Sequence, residues 1–217
     1  MSPILTTIAR FALIIPAIVF HEVAHGYAAL ALGDTTAKEQ GRLSLNPLKH
    51  IDPFGTVLLP LLLTVTVGVG FGYAKPVPVN TWRFTGDRRK GMFLTGIAGP
   101  LANLVMAAVA GTIVRLTGDP QTVVGFYVSY ALQAFTLVNL VLMFFNLIPL
   151  PPLDGSRVLP LFLSDRAMRT YAHWERYGFL ILFGVLLIAP RFLGFDPLNS
   201  YFSVTVYPIF TLFTGIS

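Results

Sequence analysis

ILTTIARFALIIPAIVFHEVAHGYAALAL, residues 4–32, is an apolar run longer than the roughly 20 residues a helix needs to cross a bilayer. It is too long for the core of a signal peptide and has no clear small-residue cleavage site, so it is expected to stay in place as a span. Further apolar segments follow at 57–71, 92–116, 123–148, 177–189 and 201–213. Across all 217 residues, 54% are hydrophobic and 12% charged, with a mean hydropathy of +0.71. A soluble domain carries roughly 25% charged residues, so too little polar surface is left here to cover a water-soluble globule. The expected fold is all-α and integral to the membrane. It has five or six transmembrane helices, with a small membrane-associated β element or re-entrant segment near residues 56–80. No linker or low-complexity tract divides the chain, so residues 1–217 are read as one polytopic domain.

The segment at 57–71 is short, rich in β-branched residues and bounded by Pro53, Gly55, Pro60, Gly68, Gly70 and Gly72. Charge counting tests whether it crosses. If it dips in and returns, every Lys and Arg except Arg10, Arg115 and Arg191 falls on one side. A full crossing moves Lys38, Arg42 and Lys49 to the other side. The positive-inside rule therefore favours re-entry, with the basic loops cytoplasmic. Irregular backbone at membrane depth then has to be covered by protein or a water-filled cavity. The same rule accounts for the net charge of +5 and the pI near 9.7, so nucleic acid is not expected as a partner. With no cysteine present, thiolate metal sites, iron–sulfur clusters and cysteine nucleophiles are excluded.

Within the first span, FHEVAHG at residues 20–26 puts His21 and His25 at i and i+4 on one helical face, with Glu22 beside them. An ionisable residue at mid-membrane costs about 2.5–3.5 kcal/mol on the insertion scale, so an idle cluster there would be selected against. Two imidazoles one turn apart can share a tetrahedral zinc, which leaves the intervening carboxylate free to act as a base. The plainer reading is a histidine pair satisfied by neighbouring helices around a buried Glu. A catalytic zinc takes three protein ligands. Glu39 and Glu175 lie in polar flanks, whereas Asp154 lies in NLIPLPPLDGSRV, directly after the fourth apolar segment. Prolines 149, 151 and 152 break the helix there and leave a carboxylate near free backbone groups. Asp154 or Ser156 could instead cap a helix beginning near Arg157. In the re-entrant topology, His21, His25 and Asp154 converge on the cytoplasmic side.

With these residues in view, the chain resembles the site-2 protease family of intramembrane zinc metalloproteases, the M50 peptidases. HEVAHG matches that family's HExxH, GPLAN at 99–103 is similar to its GPxxN, and NLIPLPPLDG resembles its NxxPxPxxDG. The three motifs occur in the family's order over most of the chain. The resemblance implies a single zinc ion per chain on His21, His25 and Asp154, and Glu22 as the catalytic base. It further implies that Asn146 helps hold the substrate backbone, and that the region from Gly72 through Tyr73 and Ala74 to Val79 is a membrane-associated strand beside the cleft. Such a strand could hold an unwound substrate by β-augmentation, while Pro76 and Pro78 guard its edge. The PDZ and CBS modules of better-known members are not expected, and residues 41–70 look typical of a compact prokaryotic subgroup.

The expected activity is therefore that of a zinc metalloendopeptidase cleaving transmembrane proteins or peptides in or near their spans. Its setting is the lipid bilayer of a prokaryotic plasma membrane, with the active site towards the cytoplasm. A membrane transporter or metal permease using the His/Glu/Asp cluster as a transit site is the rival from another class. A non-haem iron enzyme is a second, since two His and one carboxylate also form that metal's facial triad. Asn103 is read as a helix–helix hydrogen bond rather than a substrate contact. His50 and His173 are read as interfacial or capping residues.

Overall fold

A computed structural model describes residues 3–58, 62, 74–194 and 196–216, and every regular element among them is helical. In chain order the α-helices are α1 (Pro3–Ala31), α2 (Thr36–Glu39), α3 (Arg88–Thr117), α4 (Val123–Asn146), α5 (Gly155–Val158), α6 (Asp165–Glu175), α7 (Gly178–Phe183), α8 (Ala189–Leu193) and α9 (Pro197–Thr214). Caps mark the long ones. Asp87 accepts the Lys90 amide at the start of α3, Thr122 accepts that of Gly125 at the start of α4, and Asp196 accepts those of Leu198 and Asn199 ahead of α9.

The centre of the bundle is α3 packed between α1 and α4, with α9 closing against α3 and α4. Every fourth residue of α3 from Gly91 is small or short and buried: Thr95, Gly99, Asn103, Ala107 and Gly111. Such a stripe lets helix backbones approach closely where lipid offers no hydrophobic drive to pair them. Larger residues fill the α3–α4–α9 seam, where Ala107, Leu140 and Val206 are buried among Leu104, Phe144, Phe202 and Phe213. Arg115 Nη1 adds a 2.6 Å hydrogen bond to Leu212 O, and Tyr201 OH a 3.2 Å bond to Phe144 O. Outside the seam many large apolar side chains are exposed, among them Val105, Val109, Val123, Phe126, Leu180 and Val204. That is the surface a bilayer requires.

Leu13–Ala31 of α1, α3 and α4 are long and apolar enough to cross a membrane, and a fourth span results if α6 and Gly178–Phe192, bent by 65°, count as one broken helix. Five or six spans are not reached among the described residues. The last expected segment falls in α9, whose first half carries Asn199, Ser200, Ser203 and Thr205. Of the segment at 57–71, only Val57 and Leu58, the end of the π-helical turn Pro53–Leu58, and Leu62 fall within the described residues.

No strand occurs among the described residues. Ala74–Asn80 is non-helical, but it forms a strap across α1 rather than a rung of a sheet. Pro76 and Pro78 have no N–H to give, and the N–H groups of Val77 and Asn80 go to the carboxylates of Glu22 and Asp34. Little donor capacity is left for a ladder. The loop that carries the strap returns to where it began, because Thr85 donates through both N and Oγ1 to Leu32 O, at 2.7 and 3.0 Å. The carboxyl end of α1 and the amino end of α3 therefore lie side by side.

Candidate metal centre

His21 and His25 project from one face of α1 towards α3, and both are buried. Their outer nitrogens are committed: His21 Nδ1 lies 2.5 Å from Asn103 Oδ1, and His25 Nδ1 lies 2.6 Å from Thr95 O. Asp154 reaches them from the far end of α4. The chain there folds back so tightly that a Cβ on Gly155 would lie 2.3 Å from Leu147 O and 2.5 Å from Ile148 O, so only glycine permits the turn. Asp154 stands at the amino end of α5 but makes no capping hydrogen bond with its side chain. Its Oδ2 sits 3.0 Å from His21 Nε2 and 3.0 Å from His25 Nε2, and the two Nε2 atoms are themselves 3.0 Å apart.

This triangle has the donor chemistry a zinc ion requires. Thr95 O and Asn103 Oδ1 can only accept, so each imidazole carries its hydrogen on Nδ1 and turns the Nε2 lone pair inward. Three lone pairs then face one another at 3.0 Å. Hydrogens cannot satisfy all three sides, because protons on both Nε2 atoms would collide across their shared edge. One cation satisfies all three, and the donors of a tetrahedral zinc stand about 3.3 Å apart. Space for the cluster is provided by Gly99, where a Cβ would lie 2.4 Å from His25 Nε2 and 2.6 Å from His21 Nε2.

Glu22 follows His21 in α1 and supplies no atom to the triangle. Its Oε2 accepts the Val77 N–H at 2.8 Å, while Oε1 carries no hydrogen bond among the described residues. The strap that supplies this N–H is fastened on both sides of Val77. The buried Arg42 donates through Nη2 to Lys75 O and Pro76 O, and Asp34 Oδ2 accepts the Asn80 N–H at 2.6 Å. Gly26 of α1 faces Val77 and Leu43, and a Cβ there would meet both side chains.

Asp34 is fully buried and also accepts from Thr36 N and Thr36 Oγ1. Burial works against its charge, but these hydrogen bonds outweigh it and hold the carboxyl below the ordinary carboxylate range. A carboxylate depressed on folding stabilises the protein above its unfolded value of about 3.9, and that contribution fades as pH falls through the lower folded value. Asp34→Ala is expected to cost about 1–3 kcal/mol by leaving the half-buried donors of Thr36 and Asn80 unpaired. Asp34→Asn is expected to flatten the acid limb of stability, read from thermal unfolding in detergent across pH.

The other expected site residues are less closely placed. Asn146 donates to Leu142 O in its own helix at 3.0 Å and makes no hydrogen bond to the triangle. Ala74 begins the strap and is half-buried, while Gly72 and Tyr73 lie outside the described residues. His50 follows a 3₁₀ turn as its cap, with Nε2 on Ser44 O, and His173 is exposed beside Arg176. Asn103 is the helix–helix link its sequence context suggests, but it also holds a histidine. Motif reading passes over Thr95, gives Gly99 no role beyond its place in GPLAN, and passes over Asn139 and the Val77 N–H. The four-residue period of small residues along α3 was the available signal for Thr95 and Gly99.

Beside the triangle lies a cavity of about 340 Å³, lined by Val79, Thr95, Pro152, Ser156, Arg157 and Glu175 among others. Thr95 joins the two, since its carbonyl holds His25.

Comparison with known proteins agrees with this chemistry. Residues 113–189 match the family described as peptidase family M50, a stretch that includes Asp154 but not the two histidines. The chain is 40% identical over 174 residues to "Putative zinc metalloprotease YwhC" of Bacillus subtilis, covering 78% of this chain and 75% of that protein. It is 33% identical over 197 residues to "Putative zinc metalloprotease Rip2" of Mycolicibacterium smegmatis, covering 91% of this chain and 70% of that protein. The Mycobacterium tuberculosis protein of the same name is 32% identical over the same length. No solved structure shows significant similarity to the chain.

Proposed function

The chain belongs to peptidase family M50 and is a zinc metalloprotease, and on that premise we propose that it is an intramembrane endopeptidase whose zinc is held by His21, His25 and Asp154. The observation that carries this reading is the triangle of inward-facing donors, each 3.0 Å from the next, between helices apolar enough to span a bilayer. Zinc bound there supplies a Lewis acid and an acidified water.

The rest of the chemistry belongs to the chain. Glu22 is the base: its Oε2 is tied to Val77, and its free Oε1 takes the proton of the attacking water and passes it to the leaving amine. The strap lies over this carboxylate, and the 340 Å³ cavity, which shares Thr95 with the centre, is the proposed approach for water. Residues 1–217 act as one catalytic domain, on substrates that are transmembrane proteins or peptides partly unwound to expose a peptide bond. Asn146 and the stretch Gly72–Ala74 are the proposed contacts to the substrate backbone.

Leu32 and Thr85 meet at one end of the bundle, so the chain that joins α1 to α3 leaves and returns on the same side. Arg88, Arg89 and Lys90 open α3 at that end, where Arg89 bonds Leu163 O and Asp165. By the positive-inside rule that end is cytoplasmic, in a prokaryotic plasma membrane.

The test is zinc content per chain, by elemental mass spectrometry, on detergent-purified wild type and Asp154→Ala, paired with cleavage of a transmembrane peptide in liposomes. Near-stoichiometric zinc in wild type, its loss in Asp154→Ala and cleavage by wild type alone are expected. Full zinc retention in Asp154→Ala would remove the third ligand from the proposal.

A further inference from the structure

His25 and His21 are oriented by different means. The first gives its Nδ1 hydrogen to a backbone carbonyl, Thr95 O, which side-chain replacement cannot remove. The second gives its hydrogen to a side chain, Asn103 Oδ1, so something must hold that amide the right way round. An amide group offers N–H₂ and oxygen at nearly the same place, and a turned Asn103 would present donors to His21.

Two backbone carbonyls settle the direction. Asn139 Nδ2 donates to Phe135 O at 2.8 Å, which leaves Asn139 Oδ1 as an acceptor for Asn103 Nδ2, also at 2.8 Å. Asn103 Nδ2 donates in addition to Ala17 O at 3.3 Å. Carbonyls only accept, so neither amide can turn without setting like against like. Asn103 and Asn139 are both 0% exposed, which leaves no solvent to make good a lost partner. Asn139 itself bonds none of the three metal-facing residues.

We propose that Asn139 is a positioning residue of the metal centre: by locking Asn103 it keeps the hydrogen of His21 on Nδ1 and the Nε2 lone pair aimed at the metal. The proposal rests on the metal site described above, and it makes α4 contribute twice, through Asp154 beyond its end and through Asn139 in its interior. Partners that orient a ligating histidine typically change metal affinity by 10–100-fold when removed. One step further out, the lower end of that range applies.

Asn139→Leu, which keeps the branching at Cγ and removes the acceptor, is expected to weaken zinc about tenfold in chelator competition. The visible absorption of the cobalt(II)-substituted protein should shift with it, because that band reports the ligand field and not general stability. Asn139→Ala removes the same acceptor and serves where leucine is not accommodated. Thr136→Val is the packing control. Thr136 is equally buried on the same face of α4, but bonds only Leu132 O of its own helix, so its zinc affinity and cobalt band should stay as in wild type. Unchanged affinity and spectrum in both Asn139 variants, or an equal loss in Thr136→Val, overturns the relay. Wild type that binds neither zinc nor cobalt overturns the metal reading together with it, whereas wild-type binding with an unaltered Asn139→Leu overturns the relay alone.

Discussion

Glu22→Gln is expected to lower cleavage of a membrane-embedded peptide by about 10²–10⁴-fold, the range a positioned general base contributes, while zinc per chain stays as in wild type. Glu22 supplies no atom to the triangle, so its loss leaves the three facing donors in place. Glutamine keeps the shape and still offers an oxygen to the Val77 N–H, so the strap should remain fastened and the melting temperature little changed. What disappears is the ability to take a proton at Oε1. Single-turnover cleavage in liposomes and metal analysis on the same preparation check both halves. A variant that cleaves at the wild-type rate would remove Glu22 from the chemistry. One that instead moves zinc across the liposome membrane would favour a transit site.

Gly99→Ala is expected to abolish zinc binding more completely than loss of any orienting partner, beyond the roughly 100-fold such losses reach. The added methyl would have to stand 2.4 Å from His25 Nε2 and 2.6 Å from His21 Nε2. Either the imidazoles swing out of the triangle or α3 backs away from α1, and each outcome separates the donors. Local propensity works in the opposite direction, since alanine favours a helix over glycine by about 1 kcal/mol. A loss of zinc with helix content retained by circular dichroism is therefore attributable to the contact. Gly184→Ala is the control, because a Cβ there meets nothing within 4 Å. Normal zinc affinity in Gly99→Ala would contradict the packing of α3 on the histidine face.

Much of the site was legible before any coordinates. His21 and His25 fall on one face because the helix repeats every 3.6 residues, and that spacing is local. Their burial in an apolar run implied a use for them, and Pro149, Pro151 and Pro152 marked where a broken chain could bring in a carboxylate. The strand expected near Val77 did not materialise among the described residues. β-Branched residues and prolines read equally well as an edge strand or a strap, and the choice fell to two long-range acceptors, Glu22 and Asp34. Asn139 was invisible for a related reason: an asparagine in an apolar helix signals a hydrogen bond, but not to whom.

By itself the sequence determined that this is a helical chain with membrane-spanning character, which residues are candidates for metal chemistry and which motifs place it among zinc metalloproteases, because composition, helical period and local breaks are short-range properties. Only the tertiary structure decided that Asp154, 133 residues after His21, closes the triangle. It also decided that Gly99 makes room for the cluster, that Val77 holds Glu22, and that Asn139 sets Asn103 against His21. Those choices depend on how closely α1, α3 and α4 approach, which small residues permit but no single segment specifies.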